Sequence, residues 1–313
     1  MQPTAPTKRD SHPTSSATRQ LKDIEKTLPL RVLSSDDWRH WISKGYVIVP
    51  RAVPAANVER LVDLLWRFDE KDPNDASTWR APQRRDHRMK EINDIGMLEI
   101  YNHQYLWDNR MEQRVYDAFV DVWDREDLWV AIDRANLNPP KPSKGDPKGF
   151  IHWDVDTSLR PLPIGVQGVL SLNEQNGDLG GFQCVPELFE RFEEWVKTQP
   201  EDRDPMHPDI SGLAVVCVDM EPGALLIFNS LLAHGLRPNH SETRVRMAQY
   251  ISMYPADRDN ETERTERIRQ WRELDHPKRA AFPGDPRGWE RAHAETATLT
   301  QLGEKLLGLR RWN

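Results

Sequence analysis

Between Leu128 and Tyr254 the chain is a series of short β-type runs, each bounded by Gly, Pro or Asn, and this stretch constrains the fold most. Runs this short cannot each bury a face alone, so they must stack as a sandwich or close into a barrel. The clearest are Trp129 to Leu137, Gly165 to Leu172, Phe182 to Val185, Ala214 to Val218, Ala224 to Phe228 and Arg244 to Met253. One helix, Pro186 to Lys197, interrupts them, with Phe189, Phe192, Trp195 and Val196 on one side. Upstream, Ser34-Ser35-Asp36-Asp37 opens a helix that Gly45 stops; Tyr46 to Pro50 reads as β, and Pro54 opens a second helix. A further amphipathic helix spans Asn109 to Arg125, and charged helices follow the β block over Glu261 to Leu274 and Trp289 to Leu307.

The expected fold is therefore α+β: one domain over residues 30–313, a β core over about 128–254 and C-terminal helices over 260–308. Residues 1–29, rich in Thr, Ser and Pro at their start, are expected to form a disordered tail. Residues 69–88, polar and without a period, are expected to form a long loop able to lie over a site.

Charge narrows the partners. Lys plus Arg number 43 against 50 Asp plus Glu, a formal −7, which disfavours nucleic acid and anionic membranes. Two cysteines, Cys184 and Cys217, are too few for a disulfide framework or a thiolate metal site, and both read as small core fillers. No stretch approaches the roughly 18 apolar residues of a membrane span, and Met1-Gln2-Pro3-Thr4 opens no signal peptide. A cytoplasmic protein is expected, monomer or homodimer.

The chemistry gathers in three places. His152 and Asp154 are two apart in Phe150-Ile151-His152-Trp153-Asp154, so an extended strand puts both on one face and Trp153 on the other. Eighty residues beyond Asp154, the apolar run Ala224 to Phe228 leads to His234-Gly235. A turn at Arg237-Pro238-Asn239-His240-Ser241 then reverses the chain, which places residues 244 to 246 beside His234. Two imidazoles and one carboxylate form the facial triad of non-haem iron(II) oxygenases, which leaves open positions for a chelating 2-oxo acid and O2. The distal carboxylate of such an acid calls for a bidentate, always-charged partner, a role for arginine. The same donors also suit a zinc hydrolase, or a jelly-roll protein that binds a metal or ligand without turnover.

These motifs resemble the phytanoyl-CoA dioxygenase-like branch of the iron(II)/2-oxoglutarate oxygenases. The resemblance covers about Gly45 to Tyr254 and rests on Ile151-His152-Trp153-Asp154, on Gly165 to Leu172 with Asn176-Gly177 and Gly180-Gly181 before Val185-Pro186, on Pro222 to Phe228 with His234-Gly235, and on Asn239-X-Ser241 before the arginines. It implies a double-stranded β-helix (a cupin-like jelly roll), iron held by His152, Asp154 and His234, and 2-oxoglutarate held by an arginine. Family members usually place that arginine about eleven residues after the second histidine. Arg244 and Arg246 stand ten and twelve after it, and Arg246 is preferred. Many members carry Pro-Gly-Ser-His where this chain has Pro186-Glu187-Leu188-Phe189. Halogenases of the superfamily have a small residue at the position Asp154 fills, so oxidation by hydrogen abstraction is the implied outcome.

Inward polar residues Arg134, Asn136 and Gln167 are candidate contacts for 2-oxoglutarate or substrate. His40, His87, His103, His207, His276 and His293 lack a partner at ligand spacing and read as structural or exposed, and His240 as a turn residue. The terminal Glu/Arg helices read as solvated faces. The expected activity is oxidation of a small organic metabolite with release of succinate and CO2, an acyl-CoA being disfavoured by the acidic balance.

Overall fold

The computed structural model describes residues 19–79, 81, 96–140, 149–279 and 281–312. Helix α1 (Ser35–Lys44) opens with a reciprocal cap: the Asp37 backbone N–H donates to Ser34 Oγ at 3.1 Å, and the Ser34 N–H donates to the Asp37 carboxylate at 2.9 Å. Gly45, at φ 79°, ends it in the left-handed region and turns the chain into β1 (Tyr46–Val49). Helix α2 (Ala55–Phe68), the short strand β2 (Met97–Leu98) and helices α3 (Gln104–Arg110) and α4 (Gln113–Trp123) follow. The single helix expected from Asn109 to Arg125 is thus two, with Glu112 as the N-cap of the second.

The β block holds β3 (Leu128–Val130), β4 (Ala135–Asn138), β5 (Val166–Ser171), β6 (Gly181–Cys184), β7 (Val216–Cys217), β8 (Leu225–Asn229), β9 (His234–Arg237), β10 (Arg246–Tyr250) and β11 (Met253–Pro255). A six-stranded sheet runs β1-β8-β5-β10-β4-β2, and a three-stranded sheet runs β7-β6-β9. A bridge between His152 and His234 adds residue 152 to the free edge of β9. Two interleaved sets of four, β4-β10-β5-β8 and 152-β9-β6-β7, make the jelly roll expected from the sequence.

Alternation along the large sheet assigns its two faces. Leu137, Leu170, Leu225, Ile227 and Met247 pack with Leu61, Leu65 and Phe119 of the helices. Their neighbours Val169, Leu226, Phe228 and Ala248 face the smaller sheet, where Phe182 packs on Phe228 with ring centroids 4.8 Å apart.

Several expected elements differ. Trp129 to Leu137 and Arg244 to Met253 are each broken in two, because both chains leave the large sheet together: the Ala131 N–H donates to Ser252 O at 2.8 Å, and β3 and β11 continue as a separate pair. The Arg110 guanidinium donates to Asp133 O at 2.5 Å inside that bend. The helix expected over Pro186 to Lys197 breaks at Arg191 into α5 (Pro186–Glu190) and α6 (Phe192–Thr198). After α7 (Glu261–Glu273), the expected Trp289 to Leu307 helix is α8 (Trp289–His293) and α9 (Gln301–Leu307), with a non-helical segment between them.

Residues 20–29 do not behave as a tail: Leu21 is buried, and the Thr27 and Leu28 N–H groups donate to the Asp124 carboxylate at 2.7 and 2.8 Å. Arg31, Val32 and Leu33 do the same to Asp121, so two carboxylates near the end of α4 take up backbone donors that local composition leaves unmatched. The earlier tail, and residues 80 and 82–88 of the loop expected over 69–88, lie outside the described residues; residues 69–79 form turns with no helix or strand, as expected of a loop. Cys184 is buried as expected, but Cys217 is exposed on β7, an edge strand with both residues in solvent. The C-terminal helices are not simply solvated either, since Arg267 and Glu290 are buried. Among the described residues no helix is long and apolar enough to cross a membrane.

Candidate metal centre

The segment 150–154 hangs on β9 by two backbone bonds: the His152 N–H donates to His234 O at 2.8 Å and the His234 N–H returns to His152 O at 2.9 Å. This pairing, together with the parity of the strand, sends His152 and Asp154 inward and Trp153 the other way. Trp153 is fully buried, and its indole N–H donates to Leu231 O at 2.8 Å. His234, delivered by the strand that follows β8, is buried against Phe182 and Phe228, with ring centroids 5.6 and 4.4 Å away.

The ligand-type atoms of His152, Asp154 and His234 lie within 4.8 Å of one another. His152 Nε2 is 3.2 Å from Asp154 Oδ1, and His234 Nε2 is 3.4 Å from Asp154 Oδ2. Adjacent ligands about 2.1 Å from one ion stand about 3 Å apart, so this spacing fits a metal such as iron(II). His234 Nδ1 lies 2.9 Å from Leu232 O; with its proton on Nδ1 the ring donates there and leaves Nε2 as the acceptor facing the cluster. Gln167, reaching in from β5, donates from Nε2 to Asp154 Oδ2 at 2.7 Å. It therefore holds the carboxylate, a different contact from the one expected of it.

The two arginines part company. Arg246 begins β10 on the face shared with Ala248 and is almost fully buried. Its Nε donates to Gln175 Oε1 at 3.0 Å and Nη1 to Asn136 Oδ1 at 3.1 Å, while Nη2 is buried with no hydrogen-bond partner among the described residues. Arg244, of opposite parity to its neighbour Val245 and outside the strand, turns outward to Asp178 and Asn176. The hairpin expected to set residues 244 to 246 beside His234 does not form: β9 and β10 belong to different sheets, so Arg246 and His234 come from opposite walls of the sandwich. The turn between them is built by Asn239, whose Nδ2 donates to Arg244 O at 2.8 Å, and by Ser241 Oγ, which accepts the Arg244 N–H at 2.7 Å.

Asn136 sits on β4 as an acceptor for Arg246. Arg134 is buried against Glu99 and lies 4.7 Å from the centre of the Phe282 ring. Glu99 also accepts from Tyr101 Oη and from the Gly284 N–H at 2.9 Å. Burial pushes the Glu99 carboxyl above its usual range, against the pull of Arg134 and the bonds it accepts. Gln175, which steadies Arg246, carries no periodic signal, and Phe182 and Phe228 look like ordinary strand core in one dimension. The remaining histidines hold other posts: His103 caps α3, His207 pairs with exposed Asp204, and His87 lies outside the described residues.

The chain is similar to Ava biosynthesis cluster protein O of Aspergillus versicolor, 25% identical over 253 residues that cover 70% of this chain and 77% of that protein. Among solved structures it is similar to GlcNAc Inducible Gene 2 of Candida albicans (TM-score 0.62, 11% identity, 90% of this chain and 78% of that one). It is also similar to HygX of Streptomyces hygroscopicus, solved with nickel and 2-oxoglutarate bound (TM-score 0.50, 13% identity, 72% and 89%). At these identities the two structures speak for the fold alone. The model of the phytanoyl-CoA dioxygenase family matches residues 41–248, which hold both histidines, the aspartate and the buried arginine, and the chain belongs to that family.

Proposed function

We propose that the protein is an iron(II)- and 2-oxoglutarate-dependent dioxygenase that hydroxylates, or otherwise oxidises, a small organic molecule. The observation that carries this reading is Arg246: a guanidinium buried between the sheets, with Nη2 unmatched, across from a His-Asp-His cluster. A buried donor left without an acceptor is costly, and a carboxylate is the partner whose geometry and charge suit it. A zinc hydrolase needs no 2-oxo acid co-substrate, so the oxygenase reading alone makes a carboxylate partner for this group obligatory.

In this reading His152, Asp154 and His234 hold iron(II), and Arg246 takes the distal carboxylate of 2-oxoglutarate, with Arg244 left to the surface. The bound metal, with 2-oxoglutarate and O2, supplies the oxidising chemistry: one oxygen atom ends in succinate as CO2 leaves, and the other in the oxidised product. The chain's own part is positioning. Gln167 orients the Asp154 carboxylate, Leu232 O sets the His234 tautomer, and Gln175 and Asn136 fix the plane of the Arg246 guanidinium. Phe182 and Phe228 wall the His234 side with apolar surface and keep water from it. The match to a protein named for a biosynthesis cluster supports a metabolite rather than a macromolecule as substrate.

An anaerobic titration of metal-free protein with iron(II) and then 2-oxoglutarate tests the reading. Wild type is expected to develop the visible charge-transfer band of a chelated 2-oxo acid. His234→Ala is expected to lose it, and Arg246→Ala to need about a hundredfold more 2-oxoglutarate. An Arg244→Ala variant is expected to titrate like wild type. A folded wild type with no band, or an Arg246→Ala variant of unchanged affinity, overturns the proposal.

A further inference from the structure

Phe150 is the most exposed large hydrophobic side chain among the described residues, at 60%. Two residues before His152, it has the parity of the cluster residues, and its ring centre is 5.0 Å from that of His152. Its backbone is not free to bury it. A Cβ on Gly235 would lie 1.7 Å from Phe150 O, and a Cβ on Gly149, where φ is 71°, would lie 2.3 Å from Leu236 O. Residues 149–152 are thus packed backbone to backbone on β9 through two glycines, with the His152–His234 bonds closing the contact. An aromatic ring held rigidly in water at the rim of a polar cluster contributes nothing to the core and presents a preorganised apolar surface.

The charges nearby describe what would lie on it. Among the described residues, the arginines of this inner face and its rim other than Arg246 each meet a carboxylate: Arg134 meets Glu99, Arg237 meets Asp219 at 3.3 Å, and Arg244 meets Asp178. Among the described residues, a phosphorylated carrier or a carboxylated chain therefore finds these counter-charges already taken, whereas an uncharged ring needs none.

We propose that Phe150 is a substrate-contacting residue that stacks on an uncharged, apolar ring of the molecule oxidised at this site. The proposal rests on the function proposed above. The test uses the nickel-loaded protein with 2-oxoglutarate bound, which does not turn over, and 2-naphthol as the ring probe, with octanoate and coenzyme A as counter-probes, all by calorimetry. 2-Naphthol is expected to bind wild type. Phe150→Ala is expected to weaken it about tenfold or more, and Phe150→Trp by less than about threefold. Nickel and 2-oxoglutarate affinities are expected to stay within about twofold in both variants, since the ring donates nothing to either. Equal 2-naphthol affinity in Phe150→Ala, no binding to wild type, or tighter binding of octanoate or coenzyme A overturns the proposal. Failure of wild type to bind nickel and 2-oxoglutarate at all instead sinks the oxygenase reading, and this inference with it.

Discussion

At the scale of one residue, Gly235 shows how closely the centre depends on backbone contact. Its α-carbon faces the Phe150 carbonyl so tightly that any side chain must push residues 149–152 off β9, and those residues carry His152. Gly235→Ala is therefore expected to cost about 3 kcal/mol of stability and to weaken iron(II) binding at least about tenfold. Gly177→Ala is the contrast: at φ 50° with nothing within 4 Å of its Cβ position, it is expected to cost about 1 kcal/mol and leave metal affinity unchanged. Urea unfolding beside a metal titration separates the two; equal effects on affinity would remove the 149–152 contact from the account of the site. The same scale shows what was legible. Parity alone sets His152 and Asp154 on one face and puts Arg246 on the inner face of β10. The partners of Arg246 and Asp154, Gln175 and Gln167, come from 71 and 13 residues away, and nothing local marks the former.

At the scale of an element, the start of α3 is held by two groups that titrate in opposite senses. Glu290 of α8 accepts the Tyr101 and Asn102 N–H groups at 2.8 and 2.7 Å, and burial raises its carboxyl from 4.5 to about 7. A raised carboxyl contributes stability that is present below about pH 4.5 and lost as pH rises through about 7. His103, whose Nδ1 accepts the Tyr105 N–H, is lowered by burial from 6.5 to about 4. Its contribution is present above 6.5 and lost as pH falls through about 4. Across pH 4 to 8, Glu290→Gln is expected to gain on wild type as pH rises, by up to about 3 kcal/mol, and His103→Asn to gain as pH falls. Urea midpoints measured on the three proteins check both slopes, and parallel curves would show that neither group is coupled to folding. Neither role is readable in sequence: Glu290 lies in a segment dense with surface-type charge, and its burial follows only from where α8 docks.

At the scale of the whole molecule, the C-terminal helices are bolted to the β core by Arg267. Its guanidinium donates to Leu307 O at 3.1 Å, Leu306 O at 2.9 Å, Val130 O at 2.6 Å and Tyr254 Oη at 2.6 Å. Arg267→Met keeps the bulk and leaves four acceptors unmet, with an expected cost of about 3 kcal/mol. Because β3 and β11 stand apart from the cluster, iron(II) affinity in the folded variant is expected to match wild type. A parallel loss of metal binding would make the C-terminal frame part of the site. The large sheet carries both roles, one face against helices and the other against the small sheet, so the frame and the centre share strands but not side chains.

Local pattern suffices for the class of fold, the residue types at the centre and the sense in which each points, because period-two alternation and turn residues act over a few positions. It also sufficed for the family, since the ordered motifs lie within one continuous stretch. Long-range packing alone makes β9 and β10 part into opposite sheets, bends the long runs at 129–137 and 244–253 together, turns Arg244 to the surface and buries Glu290 and Arg267. Those outcomes depend on hydrogen bonds and packing between segments tens to hundreds of residues apart, which no local pattern of side chains encodes.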